Sequence, residues 1–221
     1  MTDEEIIKHF ETIQSYYKDL EEYVVWEIYN YLNSQPSHNI PKIEKWVWVK
    51  HRIKKLDSFL KKSKRYTEKW LNPFDAIHDI LGITIICYSQ NDVQNLAIRM
   101  RSLFKIVEWE NVEEFWWRFD ENEFWHQATK VDFEITPKEA EKNNKKHLAD
   151  LKFELQITTS LMNTWSFFQH DWYKIVATKP RTKHLLRKLN AVNALLELAD
   201  SELAQIQTES LKYQNYDLND D

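Results

Sequence analysis

Residues 77–88 read Ile77-His78-Asp79-Ile80-Leu81-Gly82-Ile83-Thr84-Ile85-Ile86-Cys87-Tyr88. From residue 80 onward the run is apolar, rich in β-branched side chains and short, which predicts a central strand over 80–88. Residues 92–103 then read as a helix covering it. Further strand candidates lie at 104–108, 114–119, 124–135 and 151–157, and the charged stretch 136–146 reads as a helical or loop insertion. Upstream, 51–64 predicts a basic helix with Ile53, Leu56 and Leu60 on one face and Lys54, Ser58, Lys61 and Lys62 on the other. Before it, helical spacing over 4–32 predicts a long helix, ended by the turn chemistry of residues 33–39. Downstream, 159–176 and 181–211 predict two more helices, and the tail 216–221 is expected to be disordered. This order implies an α+β fold, a mixed sheet flanked by helices. The expected organisation is an N-terminal helix (1–35), a central domain (36–180), a C-terminal helix (181–213) and a tail (214–221).

Composition narrows the function classes. The chain has one glycine in 221 residues, so no phosphate-cradling motif that needs several glycines can be written in it. If it binds a nucleotide, side chains must hold the phosphates. A formal net charge of -5 argues against general coating of nucleic acid, although residues 42–69 are strongly basic, with only Glu44, Asp57 and Glu68 opposing. The single cysteine, Cys87, excludes an intramolecular disulfide and reads as a buried, inert thiol. No stretch reaches the ~18 apolar residues of a membrane span, and Met1-Thr-Asp-Glu-Glu has neither the basic nor the apolar part of a signal peptide, so the cytoplasm is the expected location.

Four segments carry chemistry. Arg52-Ile-Lys54-Lys-Leu-Asp-Ser58-Phe-Leu-Lys-Lys62 places Lys54, Ser58 and Lys62 one turn apart on the predicted helix, a row of donors matched to a triphosphate. Taken alone, such a run is more often a solvated face. Asp79 stands at the entrance of an apolar strand, where an uncompensated carboxylate is costly to desolvate; a cation would compensate it, and a helix cap or turn is the other reading. In Leu151-Lys-Phe-Glu154-Leu-Gln156-Ile-Thr158-Thr159, alternation puts Lys152, Glu154 and Gln156 on one face and Phe153, Leu155 and Ile157 on the other. Glu154 therefore faces a polar site, or is a plain exposed strand glutamate. The fourth is Trp165-Ser-Phe-Phe-Gln-His170-Asp-Trp-Tyr173-Lys174, where His170 could contact a nucleotide or satisfy a buried hydrogen bond.

In order and spacing, these segments resemble the synthetase domain of the RelA/SpoT family over roughly residues 50–174. The resemblance implies a nucleotidyltransferase-like domain that transfers pyrophosphate from ATP to the 3'-hydroxyl of GDP or GTP, with Mg2+. It implies that Arg52, Lys54, Ser58 and Lys62 bind ATP. Asp79 and Glu154 would be catalytic and hold the metal, and Glu154 could act as the base on the acceptor hydroxyl. Phe124, His126, Gln156, His170, Tyr173 and Lys174 would bind the acceptor.

The sequence departs from the family pattern in the acceptor half. Thr84 and Thr158 stand where arginine is usual, and a threonine supplies neither charge nor a bidentate fork. In Asn122-Glu-Phe124-Trp-His126-Gln-Ala128, Phe124 replaces the stacking tyrosine, Glu123 a glycine and Ala128 a histidine. The preceding stretch 110–120 is acidic, with Arg118 its only cation. Two alternatives stand beside alarmone synthesis: a toxic small synthetase that modifies the tRNA 3' end or adenine nucleotides, for which an antitoxin partner is expected, and a degenerate nucleotide-binding or interaction module. The stripe Leu185, Leu189, Val192, Leu195 and Leu196 raises the expectation of a homo-oligomer.

Overall fold

The computed structural model describes residues 2–34, 47–107, 128–168 and 183–216, together with Trp172. Five strands, β1 (Trp48–Ile53), β2 (Leu81–Cys87), β3 (Lys105–Ile106), β4 (Thr129–Glu134) and β5 (Lys152–Thr159), form a mixed sheet in the order β1-β2-β5-β4-β3. The expected α+β fold is therefore the observed one. β3 runs antiparallel to β4, with Lys105 opposite Glu134 and Ile106 opposite Phe133. The described helices are α1 (Asp3–Ser34), α2 (Leu56–Thr67), α3 (Pro73–Ala76), α4 (Gln90–Leu103), α5 (Pro137–Lys142), α6 (Ser160–Phe168) and α7 (Lys183–Tyr216). A 3-10 turn at Lys146–Leu148 follows α5. Among the described residues no helix is long and apolar enough to cross a membrane.

Short helices begin where local chemistry dictates. Asn72 caps α3 by accepting the Phe74 N–H at 3.2 Å, and Pro73 occupies the first helical position, where its missing N–H costs nothing. Thr136 and Pro137 do the same for α5, inside the charged insertion.

The predicted basic helix over 51–64 is corrected. Residues 48–53 form β1, whose end is tied to β2 by the Lys54 N–H donating to the Ile80 carbonyl at 2.7 Å, and the helix begins only at Leu56. Pairing with a buried neighbouring strand outweighed a helical periodicity that Ile53 only appeared to begin. Arg52 is thus a strand residue and Lys54 lies in the connection. Only Ser58 and Lys62 share a turn of α2, so the three-donor row on one helix face does not exist. The predicted strand at 114–119 lies outside the described residues, as do residues 217–221 of the tail expected over 216–221; Tyr216, expected to begin that tail, closes the last helix instead.

The chain divides into two compact units. The first comprises Met1–Ile85, Ile98–Glu110 and Lys130–Gln156. Its core includes Phe10, Phe59 and Phe74 from α1, α2 and α3, with ring centroids 4.8 and 5.0 Å apart, and a second aromatic group of Phe104, Phe133 and Phe153 at 5.2–5.8 Å. The other unit comprises Ile86–Ala97, Asn111–Thr129 and Ile157–Asp221. There Asn91 donates to the Ala204 carbonyl at 2.9 Å, Gln207 donates to Asp92 at 3.1 Å, and the Thr159 hydroxyl donates to buried Asp200. Cys87 is buried, which together with the nearby Asp92 charge pushes its thiol pKa up and keeps it inert.

α2 ends in a turn with Leu71 N–H donating to the Tyr66 carbonyl and Trp70 N–H to Thr67, both at 3.0 Å, which is a Schellman closure. Its left-handed position, normally glycine, is Trp70, with φ 61° and its indole 96% exposed. Among the described residues nothing is packed against that side chain, so Trp70→Gly should remove backbone strain of about 1 kcal/mol without loss of contacts. Thermal denaturation should show Tm raised by roughly 2–4 °C; an unchanged or lowered Tm would show that the indole stabilises the fold.

Candidate functional site

One cluster of charge dominates the first unit. Lys54 Nζ donates to Asp79 Oδ2 at 2.7 Å and Lys62 Nζ donates to Asp79 Oδ1 at 2.8 Å. The three side chains come from the β1–α2 connection, from α2 and from the turn before β2, and their exposures are 12% for Lys54, 37% for Lys62 and 17% for Asp79. Burial works against the Asp79 charge, but the two ammonium groups outweigh it and hold the carboxyl below the usual aspartate range. Asp79 is therefore ionised, and the triad as a whole is cationic.

Beside it the sheet presents a polar face. Along β5, Phe153, Leu155 and Ile157 are buried while Lys152, Glu154 and Gln156 are only half-buried, as alternation predicts. Glu154 has its pKa raised, first by burial and then by the negative charges of Asp79 and Asp132, against which Lys130 and Lys62 act. The two carboxylates that the sequence leads one to expect as catalytic thus lie within each other's electrostatic influence. Gln156 shares the Glu154 face. Arg52 is exposed, and its side chain crosses the β2 glycine: a Cβ on Gly82 would meet Arg52 Nε at 3.7 Å. That is ordinary contact, so Gly82 leaves room for the guanidinium without being the only residue that could. Ser58 is exposed on α2. Phe124, His126, His170, Tyr173 and Lys174 lie outside the described residues.

Sequence reasoning passed over a second network on this face. His78 Nδ1 lies 2.9 Å from Asp132 Oδ2, and Nε2 lies 2.9 Å from the Asp75 carbonyl, so a ring with hydrogens on both nitrogens makes both bonds. Lys152 Nζ donates to the same carbonyl at 3.2 Å. The network ties the turn that carries Asp79 to β4 and β5. Its signal was present in Lys130-Val-Asp132-Phe-Glu134, a charged alternation like that of β5.

Two carboxylates and a pair of lysines suit a hard cation that arrives with a polyphosphate. Among the described residues no three His, Cys, Asp or Glu side chains group to hold a metal alone. Magnesium commonly binds through one or two carboxylates plus substrate phosphates, so Asp79 with Glu154 fits that need.

Residues 51–176 match the family model described as "Region found in RelA / SpoT proteins". No curated protein sequence matches the chain. Among solved structures, small alarmone synthetase 2 from Bacillus subtilis is similar with TM-score 0.67 at 19% identity, covering 91% of this chain and 99% of that one. A GTP pyrophosphokinase family protein from Streptococcus pneumoniae gives TM-score 0.66 at 18% identity, covering 97% and 98%. Small alarmone synthetase 1 from Bacillus subtilis, bound to its product pppGpp, gives 0.61 at 20% identity, covering 92% and 98%.

The Asp79 cluster makes stability depend on pH with a fixed sign. The folded carboxyl has a lowered pKa, so its contribution is present above the ordinary aspartate value and is lost as pH falls through the folded one. Urea unfolding between pH ~7 and ~1 should therefore show Asp79→Asn less stable than wild type at neutrality, with the gap closing on acidification. A gap that persists at the acid end would mean that packing, not charge, is what the substitution removes.

Proposed function

The chain belongs to the RelA/SpoT family, and on that premise we propose that it is an ATP-dependent pyrophosphokinase whose acceptor is the 3'-hydroxyl of a guanine nucleotide. The observation that carries this is the ionised Asp79 held between Lys54 and Lys62, with Glu154 on the polar face within its electrostatic influence. Lys54 and Lys62 exchange their carboxylate for the triphosphate of ATP, joined by Arg52 and Ser58. Asp79 and Glu154 would hold Mg2+, which would supply positive charge to neutralise the transferred phosphates. The acceptor oxygen forms a bond to the β-phosphorus of ATP, the bond from that phosphorus to the oxygen bridging to the α-phosphate breaks, and AMP leaves. The hydroxyl proton passes to the Glu154 carboxylate, which acts as general base. Gln156, with Phe124, His126, His170, Tyr173 and Lys174, orients the acceptor. Phe124 offers its ring to the guanine, and such stacking is worth about 1–3 kcal/mol per base. That a relative of the same fold carries pppGpp as its product supports the guanine reading.

The direct test offers ATP labelled at the β-phosphate with GDP, GTP, adenine nucleotides or tRNA in separate reactions. Label is expected on the guanine nucleotides. Label on tRNA alone, or on adenine nucleotide alone, would replace the acceptor proposed; no transfer to any of them would leave a binding module.

Glu154→Gln keeps the size of the side chain and removes the base, so kcat should drop ~100-fold or more while ATP affinity is largely kept. Only the ionised base can accept the acceptor's hydroxyl proton, so the wild-type rate should climb with pH along the limb set by ionisation of that base. A residual rate in Glu154→Gln with the same limb would assign that titration to another group.

A further inference from the structure

Two fixed contacts decide which way the side chains of β4 point. Glu134 accepts a hydrogen bond from Lys105 at 2.6 Å, and Asp132 meets His78, which in turn lies 3.5 Å from Lys152 of β5. Residues two apart on a strand share a face, so Lys130, Asp132 and Glu134 stand on the same face as Lys152, Glu154 and Gln156. Phe133, between them, is fully buried on the opposite side.

The cations of this face are not equivalent. Lys54 and Lys62 are bonded to Asp79, Lys105 to Glu134, and Lys152 to the Asp75 carbonyl. Lys130 is exposed and, among the described residues, forms no ion pair at hydrogen-bonding distance. Of the charges that favour ionised Glu154, its charge acts most strongly. An exposed ammonium on the same face as the acceptor base, on the neighbouring strand and without an ion pair among the described residues, is placed for an anionic part of the molecule whose hydroxyl Glu154 deprotonates. The sequence offers few substitutes. Thr84 and Thr158 bring no charge, and residues 110–120 contain four acidic side chains and Arg118 alone among cations.

We propose that Lys130 is the specificity-determining residue for a phosphate group on the acceptor, so that the site selects a phosphorylated nucleotide over the bare nucleoside. This rests on the pyrophosphokinase reading. Lys130 donates a charge-assisted hydrogen bond to a phosphate oxygen, and interactions of this kind exceed neutral ones about twofold in strength.

The test compares GDP with guanosine as acceptors for wild type, Lys130→Ala and Lys130→Arg, with Mg2+ and ATP. The ratio of kcat/KM for GDP over guanosine should fall ~10-fold or more in Lys130→Ala, a loss of about 1.4 kcal/mol. The change should appear in KM for GDP, with KM for ATP unchanged and the ratio largely kept in Lys130→Arg. A ratio unchanged in Lys130→Ala, with only a shift of the pH limb for both acceptors, would overturn the proposal, because Lys130 would then serve Glu154 alone. Calorimetric titration of GDP without ATP separates this from the catalytic reading. If wild type transfers nothing yet binds GDP, weaker binding by Lys130→Ala still supports the role of Lys130, and equal binding overturns it. A wild-type protein that neither transfers to nor binds GDP overturns both.

Discussion

The structure depends on one ion cluster, in which two ammonium groups close on a single carboxylate at 2.7 and 2.8 Å. Removing three charges even partly from water costs several kcal/mol per ion, and their mutual attraction offsets this only with short, well-directed hydrogen bonds. Lys54 meets the demand twice. Its backbone N–H fastens the end of β1 to the Ile80 carbonyl, and its side chain reaches back to Asp79. The connection between β1 and α2 is thereby fixed against the entry to β2, which also brings Lys62 within reach from the second turn of α2. The cluster stays one positive charge in excess. A surplus of that sign suits a polyphosphate, and in a chain with one glycine it must come from side chains rather than from a backbone cradle.

The sheet separates packing from chemistry by the two-residue period of its strands. On β5 the odd-numbered Phe153, Leu155 and Ile157 enter the core, and on β4 Phe133 does the same; the even-numbered positions carry the charges. The Phe104, Phe133 and Phe153 rings lock the apolar side, and a register slip of one residue would drive Glu154 into them. The aromatic core therefore holds Glu154 at the polar face without touching it. The His78 network adds a lateral tie, since one imidazole links the turn that carries Asp79 to β4.

Much of this was legible in the sequence because it rests on local periodicity. The β-branched run of β2, the alternation of β5 and the long helical spacing of α1 each record which side of an element meets the core, and burial enforces that record residue by residue. The family resemblance was legible for the same reason, because Asp79, Glu154 and the lysine spacing are linear features. β1 was not legible: its Lys50, His51 and Arg52 are exposed edge positions that mimic the polar face of a basic helix, and only pairing with β2 reveals the strand.

What the sequence determined by itself is the kind of protein this is: an α+β fold, a chain with no glycine-rich phosphate loop, and two carboxylates on polar positions. Tertiary structure alone decided which charges meet. That Lys54 and Lys62 converge on one aspartate, that His78 reaches Asp132 across 54 positions of chain, and that Lys130 lies on the strand next to that of Glu154 are facts of strand order. The physical reason is that a side chain's face follows from its neighbours along the chain, whereas its partner depends on which distant segment lies next to it, and the core selects that segment.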